Sequence, residues 1–447
     1  MQRQCPALFI SAPASNHGKT TVTAALAHFH ARQGLRVRVF KSGPDFLDTM
    51  ILQHAAQSTA PAYQLDLWMA GAQACKAMLH AAAADADLIL IEGVMGLFDG
   101  RPSSADLAQL LDVPVLAVID ATGTAQTLGA VAHGLAHYRA GLKFAGVLAN
   151  SVASPRHAEM IAQGMPVSLT YMGGMPRSAA IKLPGRHLGL VPAPEVLDLD
   201  ARLSAAADAI GRTALASLPS SVVFVPPETQ EAPPLLLRGK KIGVASDAAF
   251  SFIYAANLDL LRSMGAQLHF FSPLSDRALP EVDSIYLPGG YPELHLQALQ
   301  DNHAMKSALQ RHHQLGKPLY AECGGMLYLL SSLTDKEGRQ ARMAGLLPGD
   351  AVMQSRLQGL GYQSVAYPGS GSALGRDVAT AGVLRAHTFH HSVMTTAMQP
   401  IAHGERLHNT SPGEAIYRSG NLIAGYLHAY FPSNPVVAAA LFSGLYP

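Results

Sequence analysis

From Leu8 to about Leu190, short apolar runs alternate with longer stretches whose apolar positions recur at helical spacing. LFISA, VRVF, DLILIE, PVLAVID and FAGVLAN have the length and residue types of strands, whereas TTVTAALAHFHARQG reads as a helix. Strand alternating with helix predicts βαβ units and therefore an α/β fold built on a mostly parallel sheet. Between residues 214 and 239 the rhythm breaks into ALASLPSSVVFVPPETQEAPPLLLRGKK, where proline and polar residues read as a linker. A second alternation then runs through KIGVASD, IYLPGG, PLYAECGG and NLIAGYLH, with the amphipathic FIYAANLDLLRSMG between its first strands. The expected organisation is an amino-terminal domain over 1–215, a linker over 216–239 and a carboxyl-terminal α/β domain over 240–447.

Composition narrows the function classes. At 447 residues the chain is long enough for two or three cores. Lys and Arg number 32 against 31 Asp and Glu, so the broad positive field that binds a nucleic acid backbone is not expected. With 49% hydrophobic and 14% charged residues, disorder is not expected either. Cys5, Cys75 and Cys323 match no zinc spacing and form no disulfide framework, which points to a reducing, cytoplasmic location. No apolar run is long enough to predict a membrane-spanning helix. Arg3 followed by an apolar run has the outline of a secretory signal, but that run continues directly into a glycine–lysine loop, which argues against cleavage.

That loop, SAPASNHGKTT, lies between a predicted strand and a predicted helix. Backbone N–H groups at a helix start can surround phosphate oxygens there, with Lys19 on the terminal phosphates and the Thr20 hydroxyl on Mg²⁺. The usual GxxxxGK[ST] pattern has glycine where this chain has Pro13. Charged residues, most of them acidic, collect after the next strands: Lys41, Asp45 and Asp48 in KSGPDFLD, Glu92 and Asp99 in EGVMGLFDG, and Asp120 after PVLAVI. In open α/β sheets ligands gather at such carboxyl ends. Asp45 and Glu92 are assigned to the metal with Thr20, whereas Asp48 and Asp99 either position substrate or cap their own loops.

In the second half, PLYAECGGMLYLL sets Cys323 between an apolar strand and a predicted helix, with glycines permitting the tight turn of a nucleophile elbow. The helix start is expected to favour the thiolate, and His428 in AGYLHAYF is the expected partner. Gly289 and Gly290 of PGGYPE, together with Gly324, are expected to offer backbone donors to an oxyanion. Cys5 and Cys75 read as structural, and the pairs His312–His313 and His390–His391 as poor metal sites. Trp68 is either a packing residue or a substrate wall.

The two halves together resemble the cobyrinate a,c-diamide synthase family, which includes the hydrogenobyrinate a,c-diamide synthases. SAPASNHGKTTVT, KSGPDFLD, QLDLWM, EGVMGLFDG, GVLANSVASPRH, GRHLGLVPAPE, DAAFSFIYAANLDLLRSMGA, FSPLSD, LPGGYPE and AECGGMLYL occur in the family's order across nearly the whole chain. The resemblance implies a P-loop, dethiobiotin-synthetase-like ATP domain joined to a class I glutamine amidotransferase domain. Glutamine would be hydrolysed at Cys323 through a thioester, and the ammonia would amidate a corrinoid carboxylate activated by phosphorylation. Carried over by position, the nucleotide loop is Asn16, His17, Gly18, Lys19, Thr20 and Thr21, with Asn150 as an adenine contact. Substrate binding and phosphoryl transfer fall to Lys41, Asp45, Phe46, Leu47, Asp48 and Asp99. Pro176 and Arg177, and the segment around Arg186 and His187, resemble positions near the nucleotide or the core.

Implied partners are the corrinoid carboxylate, L-glutamine and ATP, with Mg²⁺ as cofactor and neither nucleic acid nor membrane; a homodimer is left open. Five departures stand out. Thr49 replaces a proline, which is expected to loosen the substrate loop. Ala386, Thr388 and His391 replace glycine, glutamate and tyrosine in RAHTFHHS, bearing on how the two activities are coupled. Tyr430 occupies the place of the usual triad glutamate, two residues after the histidine. Competing readings are a related tetrapyrrole amidoligase (cobyric acid synthase or nickel-sirohydrochlorin a,c-diamide synthase) and a P-loop ATPase switch carrying an inert amidotransferase-like domain.

Overall fold

In the computed structural model, which describes residues 1–186, 189–190, 193–228, 232–367 and 382–444, the chain divides into two compact units meeting at residues 230 and 231. The amino-terminal unit is built on strands β1 (Arg3–Ser11), β2 (Val37–Ser42), β3 (Tyr63–Leu65), β4 (Leu88–Glu92), β5 (Val115–Asp120), β6 (Phe144–Val152) and β7 (Tyr171–Pro176). They pair in the order β3-β2-β4-β1-β5-β6-β7, and every one of these pairings is parallel. Alternate side chains feed two cores. Ala7, Phe9, Ile89, Ile91, Val115 and Ala117 enter one, whereas Leu8, Ile10, Leu88, Leu90, Leu116 and Val118 enter the other. A sheet covered on both faces needs apolar residues at every strand position, so LFI and LILI read as continuous runs rather than alternating ones.

The stretch read as a linker contains a further strand. Ser221–Phe224 pairs antiparallel with Arg3–Pro6 of β1, burying Val222 and Phe224 while Ser221 and Val223 face outward. Its period of two was present in SVVF but was masked by the prolines that follow.

The carboxyl-terminal unit begins as a parallel sheet. Gln267–Phe271, Lys241–Ala245, Ser284–Leu287, Leu319–Glu322 and Leu422–Gly425 lie side by side. It continues antiparallel through Pro412–Ser419, Ala402–Arg406, Gly359–Val365 and Leu384–His390 to His428–Tyr430, giving ten strands among the described residues. No helix among the described residues is long and apolar enough to cross a membrane.

Candidate active sites

The phosphate-loop candidate follows β1, the central strand, at the carboxyl edge of the parallel sheet. Asn16 and Gly18 both take left-handed backbone angles, φ 65° and 89°, before helix α1 (Lys19–Arg32) starts. Gly18 has a second reason to lack a side chain, because a Cβ there would collide with the Asn150 amide. Asn150 Nδ2 donates to the His17 carbonyl at 3.0 Å, and His17 Nδ1 accepts the Asp120 N–H at 2.9 Å. Residues at the ends of β6 and β5 thus fix the loop from behind. Asn150 thereby braces the loop through its side-chain amide. Gly96 lies so close to the Pro13 carbonyl that no side chain fits, and the Leu97 N–H donates to the Ala12 carbonyl at 2.8 Å. The second glycine-bearing loop therefore supports the first where its usual glycine is missing.

Lys19 Nζ donates to the Ala14 carbonyl at 3.0 Å, across the loop. Burial brings its pKa down to about 8, with Lys41 acting in the same direction. Next to it, Thr20 Oγ1 donates to Glu92 Oε1 at 2.7 Å, and Lys41 Nζ reaches Glu92 Oε1 at 2.8 Å and Asp48 Oδ2 at 2.6 Å. Burial works against the Lys41 ammonium, but Asp48, Glu92 and Asp45 hold it firmly charged. Burial also raises Glu92 and Asp45 above the carboxylate range, against the pull of Lys41. Several carboxylates in so dry a place favour another cation.

Glu92 Oε2 is fully buried and has no hydrogen-bond partner. An acceptor left bare beside a hydroxyl fits a hard, oxygen-seeking ion such as Mg²⁺.

The loop ahead of the helix Leu47–Ala55 places the other expected residues. Asp45 Oδ1 accepts the Asp48 N–H at 3.0 Å, and Gln64 Nε2, overlooked in the sequence, holds the Asp45 carbonyl at 3.0 Å. Phe46 and Leu47 are buried. Thr49 does not loosen this turn: its hydroxyl donates to the Phe46 carbonyl at 2.7 Å, a bond proline could not make. Asp99 accepts the Gly96 N–H at 2.9 Å within its own loop. Thr21 lies in the first turn of α1, half-buried. Pro176 ends β7 and the Arg177 N–H bonds the Val152 carbonyl, whereas His187 lies outside the described residues.

In the second unit Cys323 sits at the junction of the strand Leu319–Glu322 and the short helix Gly324–Leu329 with φ 44° and ψ −108°. Such backbone costs a non-glycine residue about 1–3 kcal/mol and persists only where the surroundings impose it. Here the Cys323 N–H is tied to the Gly425 carbonyl at 2.7 Å, and a Cβ on Gly324 would lie 2.8 Å from the Gly290 nitrogen. A Cβ on Gly289 would run into the His428 ring. Cys323, Gly324, Gly289, Gly290 and His428 are thereby gathered at one place.

The electrostatics depart from expectation. Burial drives the Cys323 thiol far above its ordinary value, with Glu293, Glu322 and Glu414 adding to the effect and the Gly324 N–H opposing it. The helix start alone does not yield a resting thiolate, because Cys323 is only 6% exposed and burial penalises its charged form. Burial lowers His428 to about 3, with His387 and His390 contributing, so the resting pair is neutral thiol and neutral imidazole.

Sequence reasoning also overlooked Glu293, Glu322, Asn257 and Glu414. A charged residue inside the apolar run PLYAE was the available signal for Glu322. Among the departures, Ala386 is fully buried and Thr388 Oγ1 donates to Glu414 Oε1 at 3.4 Å, while His391 is buried. His312 Nε2 bonds the Pro318 carbonyl, and His390 stacks on Tyr426 at 3.7 Å.

Comparison with known proteins assigns both halves. Residues 8–191 match the family described as CobQ/CobB/MinD/ParA nucleotide binding domain. Residues 241–436 match the CobB/CobQ-like glutamine amidotransferase domain. A hydrogenobyrinate a,c-diamide synthase of Stutzerimonas stutzeri is 58% identical over 98% of this chain and 99% of its own. The chain belongs to the cobyrinate and hydrogenobyrinate a,c-diamide synthase family.

Two more members agree. A hydrogenobyrinate a,c-diamide synthase of Pseudomonas aeruginosa is 56% identical, with 99% of this chain and 98% of the relative covered. A cobyrinate a,c-diamide synthase of Herminiimonas arsenicoxydans is 46% identical over 98% of this chain and 96% of its own. Membership gives the parallel-sheet unit its nucleotide-binding role and the unit bearing Cys323 its amidotransferase role.

Proposed function

We propose that the protein uses ATP to convert the a and c side-chain carboxylates of hydrogenobyrinate or cobyrinate into amides, taking the nitrogen from glutamine, in the cytoplasm. What carries this reading is that a chain 58% identical to a hydrogenobyrinate a,c-diamide synthase holds both a braced phosphate loop and a strained cysteine beside His428.

Cys323 Sγ attacks the glutamine side-chain amide while His428 accepts its proton. Because both groups rest neutral, the proton moves with the attack and not before it. The oxygen of the tetrahedral intermediate faces N–H groups around Gly289, Gly290 and Gly324. Collapse to the thioester expels ammonia, with His428 returning the proton, and water then releases glutamate. In the other unit a corrin carboxylate attacks the terminal phosphate of ATP, which turns a carboxylate oxygen into a leaving group. Ammonia displaces the phosphate and leaves the amide.

Lys19 and Lys41 neutralise charge as the phosphoryl group moves, and Asp48 and Glu92 keep Lys41 charged and aimed. Thr20, Asp45 and Glu92 would hold Mg²⁺, which supplies further neutralisation of the phosphate oxygens when bound.

Mass spectrometry of hydrogenobyrinate and of cobyrinate incubated with protein, ATP, Mg²⁺ and glutamine is expected to show the diamide. Cys323→Ala should end glutamine use yet leave amidation driven by added ammonium salts. Asp45→Asn should slow both reactions by about 10²-fold. An unchanged corrin mass with the complete mixture, or ATP hydrolysis without glutamine consumption, refutes the assignment.

A further inference from the structure

His428 belongs to a strand of three residues, His428–Tyr430, whose ladder partner is Leu384–His390. Cys323 follows a different strand, Leu319–Glu322, whose pairing with Leu422–Gly425 ends at Glu322 opposite Gly425. The strand that begins with the histidine thus ends the sheet order, whereas the strand that precedes the cysteine lies fourth in it, with other strands between the two.

Two buried polar side chains bridge this break. Glu322 Oε1 accepts the Ala429 N–H at 2.9 Å, and Glu322 Oε2 accepts the Tyr286 hydroxyl at 2.7 Å. Asn257 Nδ2 donates to the Ala429 carbonyl at 2.8 Å, while Asn257 Oδ1 accepts the Phe431 N–H at 2.8 Å. Glu322 is 1% exposed and Asn257 is fully buried. One side chain therefore joins the residue before the nucleophile to the residue after the histidine, and the other holds that same residue from the opposite side.

We propose that Glu322 and Asn257 are positioning residues of the glutaminase, setting His428 against Cys323 through the main chain of Ala429 and Phe431. The chemistry explains the choice of residues. An ionised carboxylate beside a thiol that must lose its proton would oppose catalysis. Burial, however, holds the Glu322 carboxyl up to about 8, in spite of its bonds from Tyr286, Ala429 and Tyr320. Around neutrality it is therefore an uncharged acceptor for Ala429, a role a carboxamide of the same shape can fill. Asn257 needs its donor and its acceptor at once, which an amide supplies and a carboxyl or an aliphatic group does not. In a fully buried site each such group would be costly if left unmade, so the pair also fixes a single register for the short strand.

This inference rests on the Cys323–His428 glutaminase reading, and its test separates the two. In the full chain, Glu322→Ala and Asn257→Ala are expected to lower kcat of the glutamine-driven reaction by about 10²-fold, the cost of a small misplacement of reacting groups. KM for glutamine and the ammonia-driven rate should stay within about threefold, and Glu322→Gln should restore kcat to within about threefold of the original. The proposal is overturned if Glu322→Ala keeps its glutamine kcat or if Glu322→Gln is as impaired as Glu322→Ala. Loss of the ammonia-driven reaction in parallel, or failure of both alanine variants to fold, would make the pair merely structural and overturn it equally. If Cys323→Ala still consumed glutamine, the glutaminase reading would fall and take this inference with it.

Discussion

Burial holds Glu322 and Glu293 protonated far beyond the ordinary carboxyl value of 4.5, up to about 8 and about 7. The folded chain therefore binds protons that the unfolded chain has released, and stability present below 4.5 is lost as pH rises towards 8. His428, His387 and His312 act in the opposite sense. Burial lowers them to about 3, 4 and 4 from 6.5, so their stability is complete above 6.5 and is lost as pH falls below it. Above 6.5 the histidines no longer oppose the two glutamates. Thermal unfolding of the carboxyl-terminal unit is thus expected to move to lower temperature between about pH 6.5 and pH 8, and Glu322→Gln, neutral throughout, should flatten that decline. Equal slopes in the two proteins would show that Glu322 does not titrate in this range. Of these groups, only His428 was singled out in the sequence as a site residue. Cys323 and His428 announce themselves by residue type and by their place after strands, whereas a buried pKa depends on what the rest of the chain folds around the group.

Elements were legible where one period ran long enough. β1, β4, β5 and β6 each hold a continuous apolar run, and α1 carries alanine and leucine at helical spacing, so type and approximate bounds could be read directly. Sheet order could not, because β1 pairs with β4 and β5 through contacts far apart in sequence. Ser221–Phe224 was lost inside a proline-rich stretch although it alternates exposed and buried positions. Its pairing with Arg3–Pro6 has a consequence for where the chain can be cut. A fragment ending at residue 215 would leave half of β1 unpaired and remove Val222 and Phe224 from the core, exposing a bare strand edge that invites association. A fragment ending at residue 230 keeps the strand. The longer fragment is expected to be soluble with a cooperative melt by circular dichroism and the shorter to aggregate; equal behaviour would assign the strand no part in stability.

For the whole molecule, two chemistries share one nitrogen atom. The order of motifs along the chain made both legible, and the shared reaction follows from their joint presence in one polypeptide. What the motifs did not disclose is that burial keeps the cysteine a thiol at rest. A physical difference between the two nitrogen sources tests how the nitrogen reaches its acceptor. Added ammonium is overwhelmingly protonated at neutral pH and cannot attack an acyl phosphate until it loses a proton. The ammonia-driven rate of Cys323→Ala should therefore rise about tenfold per pH unit in the neutral range, tracking the free base. In the proposed mechanism nitrogen leaves the thioester step as neutral ammonia, and the glutamine-driven rate of the unmodified chain should rise far less steeply provided that nitrogen is consumed before it equilibrates with solvent protons. Rates measured against pH under saturating ATP and corrin separate the cases. Parallel slopes would mean that glutamine merely feeds a bulk ammonium pool, and the two sites would then cooperate only through the solvent.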